Sequence, residues 1–381
     1  MQITSQTTFD YRKYWNVVKG IAIVSMVLGH AIQFGGGSDY YNSLAYFDNI
    51  VFRCIYGCHM PLLIFVSGYL FAFSIRKYSL SALCHKKVMS LLLPLIVNVS
   101  ILMLLYESNY SSLGGLKYTC MHIIYSLPKK LWFLWAVLYC MTFVVAINRL
   151  RLNKFLKHIV TILCIIGFYL IPDTIIPNAE LYKYMLPFFI IGYLINGKET
   201  ISKIRFSNVF LFSCISIFIY AMGILYFHKQ DYVYISGSYI LKNQDVLANI
   251  LICLKRIGIG LIGIVTVLAI SYIVVVYLRK VSNAFAFCGE KSLGIYIFST
   301  WCFDGLALHL FETYNILYIM LTFIAALAFS LLLTILVEKK AQVRKSVDSP
   351  PGMLTEDHHH TVHEERQVCY SSHLRPKSLH L

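Results

Sequence analysis

The sequence predicts an all-α fold: a polytopic membrane bundle of about ten transmembrane helices with both termini cytoplasmic. Three observations predict it. The 381 residues are 58% hydrophobic and 13% charged, with a mean hydropathy of +0.67, against roughly 25% charged in an average soluble domain. Apolar runs near bilayer length recur along the chain. Lys and Arg gather in alternate loops, first Arg76, Lys77, Lys86 and Lys87, then Arg149, Arg151, Lys154 and Lys157, then Lys198, Lys203 and Arg205, then Arg279 and Lys280. The loops between them are poorer in basic residues and carry Asp39, Asp48, Glu107, Asp173, Glu180 and Asp231, which puts the basic set in the cytoplasm. The formal charge of +15 is therefore a topology signal, and no nucleic-acid partner is expected, because the basic residues form no soluble basic face.

Residues 1–14 are polar and form a cytoplasmic segment. The first apolar span, 15–34, is long enough to cross and stay, and reads as an uncleaved insertion signal. It carries Lys19 near its start and His30 near its end. Eleven positions apart, they fall within about 20° of the same helical face and about 16 Å apart along the axis. A histidine in the hydrocarbon layer is costly and usually faces a cavity or a pathway; the structural alternative is a neutral ring bonded to a carbonyl of a neighbouring helix.

A glycine turn at 35–37 and the stretch through Asp39, Tyr40, Tyr41 and Asp48 are too polar to span and too aromatic for a free loop. They suit an interfacial or re-entrant segment. CHMPLLIFVSGYLFAFSIRK follows, with His59 ahead of Pro61, a residue that opens a helix because the first turn needs no internal donor. Further spans are expected over 88–106, 131–148, 155–171, 182–195, 206–227, 257–278, 292–308 and 315–337.

The run 246–278 is too long for one crossing and is expected to begin as an amphipathic or tilted segment outside the membrane. Its Lys255 and Arg256 either snorkel to headgroups or point inward towards an anionic substrate. The transmembrane domain takes in 15–340, and 341–381 is expected to be a disordered polar cytoplasmic tail. His358, His359, His360 and His363 have no folded frame around them there, so no metal site is expected. Of the eleven cysteines, Cys54, Cys58, Cys140, Cys164, Cys214, Cys253, Cys288 and Cys302 lie in or beside apolar spans, with no CxxC pair. They read as small buried hydrophobes without a disulfide framework.

Several stretches together carry a resemblance. KGIAIVSMVLGH joins a basic residue and a glycine to a histidine across an apolar helix, and CHMPLLIFVSG follows it. KKVMSLLLP at 86–94, LWFL at 131–134, LPFFIIGYLI at 186–195 and GEKSLGIYIF at 289–298 come later in order. Over about residues 10–340 the chain resembles the acyltransferase-3 family of integral membrane acyltransferases, especially small polysaccharide O-acetylases similar to fucose 4-O-acetylase. The resemblance implies acyl transfer from cytoplasmic acetyl-CoA, across the bacterial inner membrane, to a hydroxyl of a lipid-linked or growing surface polysaccharide such as an O-antigen or exopolysaccharide. It implies His30 as the catalytic histidine, with Lys19 and His59 in motifs linked to activity. Membrane lipids are the other expected partners; oligomeric state has no signal here.

Chemistry supports these residue types independently. A sugar hydroxyl is a poor nucleophile at neutral pH and needs a base near its proton, a task imidazole suits. His30 is thus the candidate general base or, in the alternative, a transient acetyl carrier. The thioester oxygen gathers negative charge and needs a donor or cation aimed at it. His59 could orient His30, donate to that oxyanion or cap its own helix. Lys19, Lys86 and Lys87 are the candidate contacts for the anionic end of CoA. Asn16, Trp132, Ser292 and Tyr296 are the candidates for lining a substrate tunnel, Ser292 and Tyr296 being four apart on one face, with packing as the alternative. Ser67 and Gly68 read as a close-packing pair.

Some positions depart from the family pattern: Asn16 for a frequent aspartate, Lys19 for arginine, Ser90 for arginine, and Ser299 and Thr300 where a histidine is common. Lysine offers phosphate a point charge where arginine offers a fork. Two other classes stay open, a glycan exporter or carrier with membrane-embedded histidines and an accessory subunit of a polysaccharide synthase. A carrier would favour inverted repeats, and the two halves show no convincing similarity.

Overall fold

A computed structural model describes residues 9–106, 115–195, 206–303 and 311–348. Among them the regular structure is helical and no strand occurs. Contacts divide the chain into two units, Met1–Leu331 and Leu332–Leu381. The first unit holds the helices and pockets discussed below; the second begins within the last helix, Ile316–Asp348. The four tail histidines, the loop with Lys198, Lys203 and Arg205, and Glu107 lie outside the described residues.

Among the described residues, six helices are long and apolar enough to cross a membrane: Tyr11–Phe34, Ile50–Lys77, Ser81–Leu102, Trp132–Arg149, Val246–Tyr277 and Ile316–Lys340. The other expected spans coincide with helices Lys154–Tyr169, Ala179–Ile195, Phe206–Leu225 and Ser292–Cys302. Large apolar side chains such as Ile162, Leu163, Phe210, Phe212 and Phe218 are exposed. So much outward apolar surface requires lipid around it. The chain is a multi-pass, all-α membrane protein.

Helix α1 (Tyr11–Phe34) starts where Asp10 accepts from the Lys13 backbone N–H at 2.9 Å. After Gly35 come α2 (Ser38–Asn42), a 3₁₀ turn (Ala45–Asp48), α3 (Ile50–Tyr56) and α4 (His59–Lys77). Arg53 anchors the turn by donating to the Phe47 carbonyl at 2.8 Å and to Asp48 at 3.2 Å. The stretch expected to be interfacial or re-entrant is a packed aromatic segment, with Tyr46 ringed by Tyr41, Phe47 and Phe52. Between α3 and α4 the apolar run breaks at Gly57 and Cys58, a discontinuity that sets Tyr56 and His59 on opposite sides of the break. Pro61 sits in the first turn of α4, as the sequence predicts.

Helix α5 (Leu80–Lys87) passes through a π-helical turn (Val88–Leu92) into α6 (Leu93–Tyr106). Lys86 and Lys87, expected in a loop, are therefore helical, because the wider turn takes up the chain without ending the helix. Next come α7 (Gly115–Ser126), α8 (Trp132–Arg149), α9 (Lys154–Tyr169), α10 (Ala179–Ile195), α11 (Phe206–Leu225) and the short α12 (Val233–Ser236). The described chain closes with α13 (Val246–Tyr277), α14 (Arg279–Glu290), α15 (Ser292–Cys302) and α16 (Ile316–Asp348).

Two glycine crossings bring backbones together. A Cβ on Gly20 would stand 1.8 Å from the Phe285 carbonyl oxygen, and one on Gly289 would stand 1.8 Å from that of Asn16, so α1 and α14 meet with no room for a side chain. Gly68 and Gly192 do the same for α4 and α10, each 2.1 Å by the same measure from a carbonyl oxygen of the other helix. Cys58 and Cys140 are buried as expected, whereas Cys164 and Cys214 are exposed on α9 and α11.

Helix α13 is a single 32-residue helix, about 48 Å long and well beyond a hydrocarbon core of about 30 Å. Its basic pair follows neither expected course. Lys255 Nζ lies 2.6 Å from Asp231 Oδ2, and Arg256, 2% exposed, donates to the carbonyls of Asp231 and Gly237 and to Ser236 Oγ. The connection between α11 and α13 folds back and satisfies both side chains. Lys183 is likewise buried, paired with Asp173 at 2.7 Å while Asp173 accepts from the backbone N–H groups of Ser238 and Tyr239. Buried charge at this end of the bundle is met by a carboxylate or by carbonyl and hydroxyl acceptors.

Candidate active site

Two pockets in the first unit share one residue. The first, of about 210 Å³, is lined by Lys19 and Ile23 of α1, Ser67 of α4, Lys87 of α5, Phe133 of α8, and Ser292 and Tyr296 of α15. The second, of about 260 Å³, is lined by His30, Gln33, Tyr56, His59, Lys129, Lys130, Trp132, Tyr234, Tyr296, Thr300 and Phe303. Because α1 carries Lys19 and His30 on one face about 16 Å apart, it contributes a cation to one pocket and an imidazole to the other. Tyr296 borders both and accepts from the Phe133 N–H at 3.3 Å, which ties α15 to the start of α8.

The turn ahead of α8 is strained and held. Leu131, buried, has φ +51°, a left-handed conformation uncommon for a residue with a side chain. Asn178 Nδ2 donates to the Pro128 carbonyl at 3.1 Å and Trp135 Nε1 to that of Leu127 at 2.9 Å. This turn presents Lys129, Lys130 and Trp132 to the His30 pocket.

His30 Nδ1 stands 2.8 Å from the Tyr56 hydroxyl oxygen, and that hydroxyl donates to Gln33 Oε1 at 2.9 Å. His59 Nδ1 lies 2.8 Å from the Ile55 carbonyl oxygen. A carbonyl only accepts, so His59 carries its proton on Nδ1, and its neutral ring presents a lone pair at Nε2. That arrangement suits an acceptor of protons better than a donor to an oxyanion. The Tyr56 ring is an edge-on neighbour of both imidazoles, at 6.1 Å from His30 and 4.8 Å from His59.

Beside His59 opens a chamber of about 20 Å³ bordered by Tyr56, Trp132, Tyr232, Tyr234 and Arg256. Tyr232 Oη is buried there without a hydrogen-bond partner among the described residues, and burial pushes its phenol above the ordinary tyrosine range. The space is about the size one water needs.

Of the residues singled out in the sequence, the structure gathers Lys19, Lys87, Ser292 and Tyr296 in one pocket and His30, His59, Trp132 and Tyr296 in the other. Asn16 and Lys86 stand in neither. Asn16 donates to Glu290 at 3.1 Å and lies under α14 at the glycine crossing. Lys86 donates to the Tyr78 hydroxyl at 2.9 Å, its ammonium 4.4 Å from that ring. Gln33, Tyr56, Lys129 and Lys130 were not foreseen. Gln33 is three residues past His30, and Tyr56 three before His59, so one-turn spacing from each histidine was the signal that could have found the first two.

An apolar bundle with two pockets that meet at a tyrosine, one lined by Lys19 and Lys87 and the other by His30, His59, Lys129 and Lys130, defines a multi-pass membrane protein with polar groups gathered inside it. Residues 12–338 match the family described as an acyltransferase domain, and the chain belongs to the acyltransferase-3 family, which places it among the membrane acyltransferases. It is 29% identical over 210 residues to the Nodulation protein NolL of Sinorhizobium fredii, covering 54% of each chain. It is 27% identical over 181 residues to the Nodulation protein NolL of Mesorhizobium japonicum, covering 47% of this chain and 46% of the relative. The chain thus spans about half the length of the curated relatives it matches. No solved structure matches it.

Proposed function

We propose that this protein is an O-acetyltransferase of the bacterial inner membrane, moving an acetyl group from cytoplasmic acetyl-CoA to a hydroxyl of a surface polysaccharide. In this reading ten helices cross with both termini cytoplasmic, the Lys19 pocket opens inward and the His30 pocket faces outward. The observation that carries it is the pair of pockets meeting at Tyr296, with Lys19 and Lys87 in one and His30 in the other.

Lys19 and Lys87 attract the anionic donor, and its thioester reaches towards Tyr296. The acceptor sugar stacks on Trp132 and Tyr234, with Lys129 and Lys130 at the rim. His30 takes the proton of the sugar hydroxyl as its oxygen attacks the thioester carbon. The C–O bond forms, the C–S bond breaks, and the imidazolium returns its proton to the departing thiolate. In a two-step version His30 itself accepts the acetyl group and passes it on.

Glycan mass spectrometry tests this in cells expressing the wild-type chain or His30→Ala at matched membrane abundance. The expected result is an increment of about 42 Da per modified sugar that vanishes in the variant. An increment that persists removes His30 from the chemistry. Identical glycans from wild type and empty vector, in a host making the acceptor, would favour an exporter or carrier.

A further inference from the structure

We infer that Tyr56 and Gln33 are positioning residues that hold His30 in one tautomer, with the proton on Nδ1 and the basic lone pair on Nε2. The inference rests on His30 being the base of the proposed transfer.

Hydrogen-bond accounting leads to it. A phenol has one proton to give, and Tyr56 gives it to Gln33 Oε1, an amide oxygen that only accepts. What the phenol oxygen then offers His30, 2.8 Å away, is a lone pair. Nδ1 must supply the hydrogen of that bond, and in the neutral ring this leaves the lone pair on Nε2. The order Nδ1–H to Tyr56 to Gln33 is a directed chain, and its direction is set by the acceptor at its end.

The partners are placed for this. Gln33 lies one turn beyond His30 on α1, so the two side chains share a face. Tyr56 is the last residue of α3, where the broken helix stops before Gly57. Its ring is stacked on Phe52 with centroids 3.9 Å apart and meets His59 at 4.8 Å, so the hydroxyl is held by ring packing apart from its hydrogen bonds. When Nε2 takes the sugar proton the ring becomes a cation, and the Nδ1–H bond to Tyr56 becomes charge-assisted. The bond therefore strengthens in the transition state, as differential stabilisation requires.

If the Gln33 amide is turned end for end, its NH₂ donates to Tyr56, Tyr56 donates to Nδ1, and His30 presents an N–H at Nε2. That ring would be an acid towards the acceptor. The two arrangements have opposite chemistry and different spectra.

The test uses the full chain in lipid nanodiscs with ¹⁵N-labelled histidine, the His30 signal being assigned by its loss in His30→Gln. Long-range ¹H–¹⁵N correlation should show the Nδ1–H tautomer in the wild type. Tyr56→Phe keeps the stacked ring and removes the acceptor; Gln33→Met removes the end of the chain and leaves Tyr56 in place. Both should move His30 towards the Nε2–H form. In acetyl-transfer kinetics both should lower kcat about tenfold to a hundredfold with KM for acetyl-CoA unchanged, and shift the acid limb of the pH profile. An Nε2–H wild-type ring, or a tautomer indifferent to both variants, overturns the inference whatever the kinetics show. A tautomer that responds as expected in a protein that transfers no acetyl group would leave the pair standing and remove the proposed reaction.

Discussion

Lys86 and Lys87 are neighbours in the sequence and part company in the structure, one resting on Tyr78 and the other lining the pocket with Lys19. Composition cannot separate them, because a basic pair at a membrane edge serves topology and ligand equally well. Their angular position on α5 does. Lys87→Gln should raise KM for acetyl-CoA about tenfold, the equivalent of about 1.4 kcal/mol, while Lys86→Gln should stay within about twofold. Initial-rate kinetics on the purified protein would distinguish them. The same limit governs the histidines. His30 and His59 were legible as ionisable groups in apolar runs, but the proton on each Nδ1 is set by Tyr56 and Ile55, whose distances only the folded chain defines. Tyr56 is silent in the sequence because tyrosine is an ordinary member of an apolar stretch; its hydroxyl matters through a residue on another helix.

At the scale of elements, the crossing of α1 with α14 is the tightest contact described. Gly20→Leu must push the helices apart, and overpacking of this kind costs about 1–3 kcal/mol or more. A thermal melt in detergent should show a fall in Tm of several degrees, whereas Gly167→Ala, with nothing within 4 Å of the new carbon, should melt like the wild type. The apolar runs made every expected span legible as a helix, since period and length are local properties. The start of α4 was legible in Pro61, but the short α3 ahead of Gly57 and Cys58 was not, because seven residues carry too little periodicity to mark a separate helix. The fate of Lys255 and Arg256 was hidden because their partners lie in a connection about 20 to 25 residues upstream that folds back on α13.

For the molecule as a whole, the buried charges Lys183 and Asp231 are paired with Asp173 and Lys255, and buried Arg256 donates to two backbone carbonyls and Ser236, while the cations Lys19 and Lys87 line a pocket. Paired charge holds the connections in place, and pocket charge is what a ligand meets. Between the two pockets stands one phenol ring, Tyr296. The proposed transfer passes a two-carbon unit between aqueous compartments and must do so without letting them communicate, and this ring is where the two pockets approach. Tyr296→Gly should turn the passage into a water wire: vesicles carrying the variant should dissipate an imposed proton gradient faster than wild-type vesicles, as read by an entrapped pH dye. A faster loss of the gradient would make the tyrosine a seal against proton leak as well as a lining.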